Sequence, residues 1–475
     1  DAGKRLAEEL IRAKEWSSAG RALETLAPMA PGDPQVLQMV VTVFGELRRL
    51  DRGAELLVSS IASSSTGRVP VPALAEAWEP GTAEQLDRAL ARLTVPAEKQ
   101  FARSYLRGLA AEAQGKLPEA DEWFAQTCRD RPTFSPAFLA RGNILLWQRR
   151  WAEAQALAEQ ALGAFGDLPG FLFVRGVALV ERDRTSEGIE VLEQAQRLNP
   201  NSGQIRLALA EAYARARRGA SLIALVRDML RSETVRGEYT GELVELLIRT
   251  QMGELARLVV DQRRDWFPSQ EEYEFLEARL AYEKNHDRAA YVEELMGLAQ
   301  ATNVSPAVLI EQARMAYELN QFSRVVEITG RLLQRVPPLR PGSYERTMTL
   351  RALTEQRLLA EADAERDWEA LVRSWPERSE FKRSLVAFYF ETLQGGKAEP
   401  LLKELIDAEK DLAQRSRLQE SLVKLYLRLH EFDRARTLVR TLMDQAADDR
   451  KVTFQELLIA AYVTARDYDG AVREL

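Results

Sequence analysis

The side chains whose types could do chemistry are few. Cys128 stands beside Arg129 and Arg131, whose positive charge would favour a reactive thiolate. It also falls near the end of an amphipathic helical pattern, where a cysteine ordinarily packs, and packing is the reading adopted. His286 and His430 fall at corresponding turns with no ligand set or triad partner near them in sequence, and one cysteine with two histidines cannot assemble a Cys/His zinc site. The carboxylate pairs Glu8-Glu9, Glu271-Glu272, Glu293-Glu294 and Asp448-Asp449 suggest acid–base or calcium chemistry only until they are placed on helices, where adjacent residues point in different directions. No glycine-rich phosphate loop follows a strand, and the stretch from Gly163 to Gly170 reads as a linker. The expectation is no catalytic residue, no cofactor and no metal.

The elements must then serve shape. The chain has 475 residues, 46% of them apolar and 29% charged, enough for an extended core and too ordered for a disordered chain. Its net charge of −7 is spread along the sequence, which argues against nucleic acid as a partner. No run of about 18 apolar residues offers a membrane span. The amphipathic pattern is still running at Leu475, which predicts a piece of something longer, and nothing fixes a compartment.

A period organises the chain. Gly108, Gly142 and Gly176 recur every 34 residues, and so does the series Ala120, Ala154, Gly188, Leu222, Ala256 and Ala290. The series loosens through Val325, Ala364, Ala398, Ala435 and Ala471, and upstream it reaches Gly53 and Ala19, with a degenerate unit near Leu86. Each period holds two helices: small residues let their backbones approach, Phe124, Leu157 and Leu192 fill the seam, and Pro132, Pro200, Pro268, Pro337 and Pro376 end the second helix. The turns are Gln114-Gly115-Lys116, Asn285-His286-Asp287 and Arg466-Asp467. About fourteen such units divide into residues 1–66, a degenerate repeat or joint at 67–98 where Pro70, Pro72, Pro80 and Pro96 gather, a regular array at 99–303 and a less regular one at 304–475.

This pattern resembles the tetratricopeptide repeat, which has small residues at its eighth and twentieth positions and often proline at its thirty-second. The resemblance implies an all-α solenoid, a right-handed superhelix whose first helices line a concave groove, and a protein that binds other proteins there. It covers most of the chain, although Leu222 and Val325 replace the small twentieth residue.

On that resemblance the inward positions of the first helices form the candidate site. Tyr105, Leu109, Leu139, Asn143, Leu146, Trp147, Phe173, Val177 and Val180 would make an apolar strip that seats a partner segment, with Asn143 holding its backbone. The same residues could instead pack against the chain itself. Farther along, Glu245, Arg249, Arg279, Tyr282, Arg314 and Tyr317 belong to a charged half of alternating sign, which Glu211, Arg215, Glu272 and Glu283 extend. The lysines of the carboxylate clamp with which some members of the family hold chaperone tails are absent. The function expected is a non-catalytic scaffold for one or more proteins, with self-association as a further possibility. Two alternatives stand beside it: a recognition arm of an enzyme whose catalytic domain lies outside this sequence, and a scaffold in bacterial exopolysaccharide export. The second comes from a weaker, compositional resemblance to envelope repeat domains and would favour the periplasm.

Overall fold

The computed structural model describes residues 2–64, 78, 80–231, 239–267, 269–298, 306–334, 341–376, 378–445 and 448–474. Among them are 27 α-helices, two short 3₁₀ turns and no strand. The helices come in pairs such as Gln100–Ala113 with Leu117–Asp130, Ser135–Trp147 with Trp151–Phe165, and Pro169–Glu181 with Thr185–Leu198. The two helices of each of these pairs pack together, and first helices of adjacent pairs also touch, as Ser135–Trp147 touches Pro169–Glu181. The chain divides into two compact units, residues 1–351 and 352–475.

Local chemistry starts and stops these helices. Asp33 accepts a hydrogen bond from the Val36 N–H at 3.2 Å, Ser202 from Ile205 at 3.3 Å and Asp411 from Gln414 at 2.8 Å, each satisfying a donor that the first helical turn leaves free. First helices end on a left-handed residue. Lys14, Arg48, Gly115, Arg149, Asp183, Arg217, Gln251, His286, Asn320, Leu359, Leu393, His430 and Arg466 all have positive φ, at the intervals of the sequence register. The N–H after that residue usually reaches back five residues, as from Arg49 to the Phe44 carbonyl at 2.8 Å and from Arg218 to Tyr213 at 2.8 Å, which is the Schellman closure. Second helices stop where expected before Pro132, Pro200 and Pro376. Pro268, Pro337, Leu475 and most of the proline-rich stretch from Val69 lie outside the described residues, but Leu86 is fully buried on the helix Pro80–Arg92.

Close approach explains the glycines. A Cβ on Gly108 would lie 2.5 Å from the Phe124 ring, and one on Gly176 2.7 Å from Leu192. Gly142 differs from the expectation: its nearest neighbour is Val174, on the first helix of the following pair, so it relieves contact between pairs rather than within one. The supposed linker at 163–170 is also shorter than expected. Gly163 is helical and Gly170 belongs to the next helix, leaving 166–168 as the connection.

The thirty-four-residue register holds at Ala120, Ala154, Leu222 and Ala256, all fully buried, and slips by one residue at Ala290. Ala290 is exposed, and Tyr291, 2% exposed, takes the inward place one residue later. The extra residue is accommodated at the end of the helix Gln270–Asn285, beyond Glu283, so the left-handed position moves from Gln251 to His286, a step of 35.

Polar staples join successive pairs in unit 1. Asp121, 8% exposed, receives Arg141 at 2.7 Å and Arg150 at 2.6 Å, and the Tyr213 hydroxyl donates to Glu193 at 2.9 Å. In unit 2, Trp368, Trp375 and Phe388 form the buried core, and tyrosines act as the staples: Tyr389 to Glu369 at 3.1 Å and Tyr426 to Glu399 at 3.1 Å. Removing one partner of such a buried bond strands the other, which makes these contacts specific as well as stabilising.

Candidate functional site

The structure sorts the expected apolar strip by depth. Tyr105 and Leu109 are wholly buried, Tyr105 between Phe124 and Phe134 with ring centroids 5.8 and 5.1 Å away. Burial pushes the Tyr105 hydroxyl well above its ordinary pKa. Asn143, Leu146, Phe173 and Val180 are also buried, at 6–8% exposure, whereas Leu139, Trp147 and Val177 are half-buried. In this conformation only the last three have much side chain to offer.

Beyond Val180 the first helices carry charge. Stepping one repeat at a time, Glu211, Glu245, Arg279 and Arg314 form one row; Glu181, Arg215, Arg249, Glu283 and Glu318, one helical turn further along their helices, form a second. Lateral contacts join neighbouring first helices at one step of each row. Glu181 pairs with Arg215 at 3.1 Å, and Glu245 faces Arg279 at 3.9 Å. Along the helices, Arg279 bonds Glu283 at 2.6 Å, and Arg314 pairs with Glu318.

The sign pattern reverses midway. The first row reads acid, acid, base, base, and the second, from Arg215 on, reads base, base, acid, acid. Compensation is unequal. Arg314 also donates to Glu311 at 2.9 Å, and Arg215 is further held by the Val180 carbonyl at 2.9 Å. Glu211 has no ion pair among the described residues, and Glu245 has only the long contact with Arg279. Surrounding protein pushes both carboxyls above their ordinary pKa, opposed by Arg249 at Glu211 and by Arg279 at Glu245. Yet Glu211 is exposed and the Glu245 side chain is 43% exposed.

Tyr282 and Tyr317 sit beside these rows, both half-buried. The Tyr282 ring stacks on Tyr291 at 4.9 Å with the planes 18° apart, and the Tyr291 hydroxyl donates to Glu311 at 3.3 Å. Burial opposes ionisation of Glu311, but Arg314 outweighs it and holds this carboxyl below its ordinary range. Sequence reasoning missed Tyr291, Glu181 and Glu318. The two glutamates are found by stepping 34 or 35 residues from Arg215 and Glu283; Tyr291 is hidden because Ala290 beside it fits the motif better.

Other candidates resolve as packing or turns. Cys128 is 9% exposed, and burial pushes its thiol up to about 12, outweighing Arg141 and Arg129. His286 and His430 both occupy left-handed turn positions. Among the described residues no group of three His, Cys, Asp or Glu side chains is placed to hold a metal, and no helix is long and apolar enough to cross a membrane.

The family model for the tetratricopeptide repeat matches residues 139–202 and 173–231. No curated protein sequence matches the chain. Similar solved structures include yeast Tom70, at 11% identity over 90% of this chain and 96% of that one with a TM-score of 0.40. The APC/C hetero-tetramer Cut9–Hcn1 is 12% identical over 88% and 82%, with a TM-score of 0.36. Pseudomonas aeruginosa PilF is 17% identical over 47% of this chain and 99% of its own, with a TM-score of 0.33. The tetratricopeptide-repeat model thus covers residues 139–231, and helical pairs closed by left-handed residues continue on either side of that stretch.

Proposed function

We propose that this chain is a non-catalytic scaffold that holds one or more partner polypeptides against the face of its first helices. The carrying observation is the pair of charged rows from Glu181 to Glu318: side chains of both signs, mostly solvent-accessible, run across five consecutive first helices instead of being consumed in the core. A fold that needed this face only for packing would fill it with apolar residues, as it does around Tyr105 and Leu109. Leu139, Trp147 and Val177 continue the surface upstream as an apolar patch beside the charged one, a combination suited to an amphipathic segment.

A photo-crosslinking amino acid placed at Trp147 or Glu245, and as a control at Glu187 on a second helix, tests the assignment in extract from the source organism. Partner crosslinks are expected from the first two positions and not from Glu187. Equal crosslinking from all three, or from Glu187 alone, would remove the face from consideration. Sedimentation velocity over a range of protein concentrations identifies the case in which the partner is a second copy of the chain.

A further inference from the structure

The reversal of sign in the first charged row carries more than general stickiness. An electroneutral wall in which charge alternated at every step would favour no particular order of charges in blocks. Here two glutamates are followed by two arginines, and the lateral approach of Glu245 to Arg279 at 3.9 Å marks the seam. The acidic half is the hungrier one. Glu211 lacks an ion pair among the described residues, whereas Arg279 is bonded to Glu283 and Arg314 to Glu311 and Glu318.

Resting on the reading of this face as the binding surface, we infer that the row Glu211, Glu245, Arg279, Arg314 receives an extended, mixed-charge polypeptide segment whose two cationic and two anionic side chains fall in separate blocks, the cations over the glutamates. Spacing supports an extended chain. Packed helices lie roughly 8–10 Å apart, and an extended chain of polyproline II type, with three residues per turn, advances about 9 Å per turn and brings every third side chain to the same side, so every third residue meets the next first helix. The cations anchor the segment, because they reach carboxylates that the protein itself leaves undercompensated. The anions set the order, since a cation placed over Arg279 or an anion over Glu245 meets like charge.

Two isomeric ten-residue peptides test this by fluorescence anisotropy at low salt. One has lysine at its first and fourth positions and glutamate at its seventh and tenth; the other alternates lysine and glutamate at those four positions, with serine and threonine elsewhere in both. The blocked isomer is expected to bind at least about tenfold more tightly, and to weaken as salt is raised. In a variant combining Glu245→Arg, Arg249→Glu, Arg279→Glu and Glu283→Arg, the pairs along each helix are preserved while the row alternates, so the preference should invert. If that variant fails to fold, Glu211→Gln with Glu245→Gln should reduce binding of the blocked isomer about tenfold. Equal binding of both isomers, no detectable binding of the blocked one, or a preference unchanged by these variants overturns the inference. Partner crosslinks from Trp147 and Glu245 that persist alongside such a result would leave the face as the binding surface and refute only its reading of charge order; loss of both would refute the face itself.

Discussion

Tyr291 stacks on Tyr282 at 4.9 Å in the place where the thirty-four-residue interval would put Ala290. An aromatic ring thus fills a position that elsewhere takes alanine, glycine, Leu222 or Val325, directly after a first helix one residue longer than the interval allows. The two anomalies compensate each other. Tyr291→Ala should cost about 3 kcal/mol in urea unfolding, whereas Tyr291→Phe, which loses only the bond to Glu311, should cost about 1 kcal/mol. Similar losses for the two would show that the ring does not fill the gap.

Glycines separate into two kinds by their surroundings. Gly176→Ala would drive a Cβ to 2.7 Å from Leu192 and should destabilise by about 1–3 kcal/mol. Gly163→Ala is in a helix, meets nothing within 4 Å and should stabilise by about 0.5–1 kcal/mol. Thermal melts of the two variants should therefore move in opposite directions.

Glu399 makes stability depend on acid. Burial opposes its ionisation, but bonds from Arg434, from Lys403 at 2.9 Å and from Tyr426 at 3.1 Å outweigh it and hold the carboxyl down at about 2. A depressed folded pKa contributes stability above the unfolded value of about 4.3, and that contribution is lost as pH falls toward 2. Glu399→Gln should flatten the loss in that window. Glu211 and Glu245 have the opposite sign, since raised carboxyls favour the neutral form, so Glu211→Gln or Glu245→Gln should raise stability at neutral pH. Titration of the melting temperature reads both effects.

Cys128, with its thiol at about 12, should react with a disulfide reagent at pH 8 only after unfolding. Reaction of the folded protein at the rate of a free thiol would contradict the packing role.

Phe173→Ala should lower stability by about 3 kcal/mol, because the ring is 8% exposed. Trp147→Ala, at a half-buried position, should cost less and should reduce partner binding. Unchanged partner affinity in Trp147→Ala, together with a lower melting temperature, would make Trp147 a core residue.

Much of this architecture is legible in the sequence because one physical demand repeats: two helices must approach closely at a fixed offset, so Gly108, Ala120 and Gly176 recur where bulk is forbidden. What periodicity cannot convey is depth. Tyr105 and Trp147 both occupy first-helix positions assigned to the groove, yet one is sealed between aromatic rings and the other reaches water, because the outcome depends on which neighbours lean over them. The same limit hid the partner of Gly142 and the slip at Ala290, where a small residue satisfies the motif without being used. The division between residues 351 and 352 lies inside the helix Pro341–Arg357, where no change of composition marks it.

Left-handed residues close turn after turn, and only Gly115 among the thirteen is a glycine; the rest include lysine, arginine, histidine and leucine at φ of 54–62°. Each such side chain tolerates a backbone that costs an L-residue about 1–2 kcal/mol, so the beat of the array is kept by main-chain geometry and not by any one amino acid. Mutation can therefore rewrite almost every letter of a turn without losing the tempo, which leaves these tips free to acquire individual character, as the 82% exposed Leu359 and Leu393 already have.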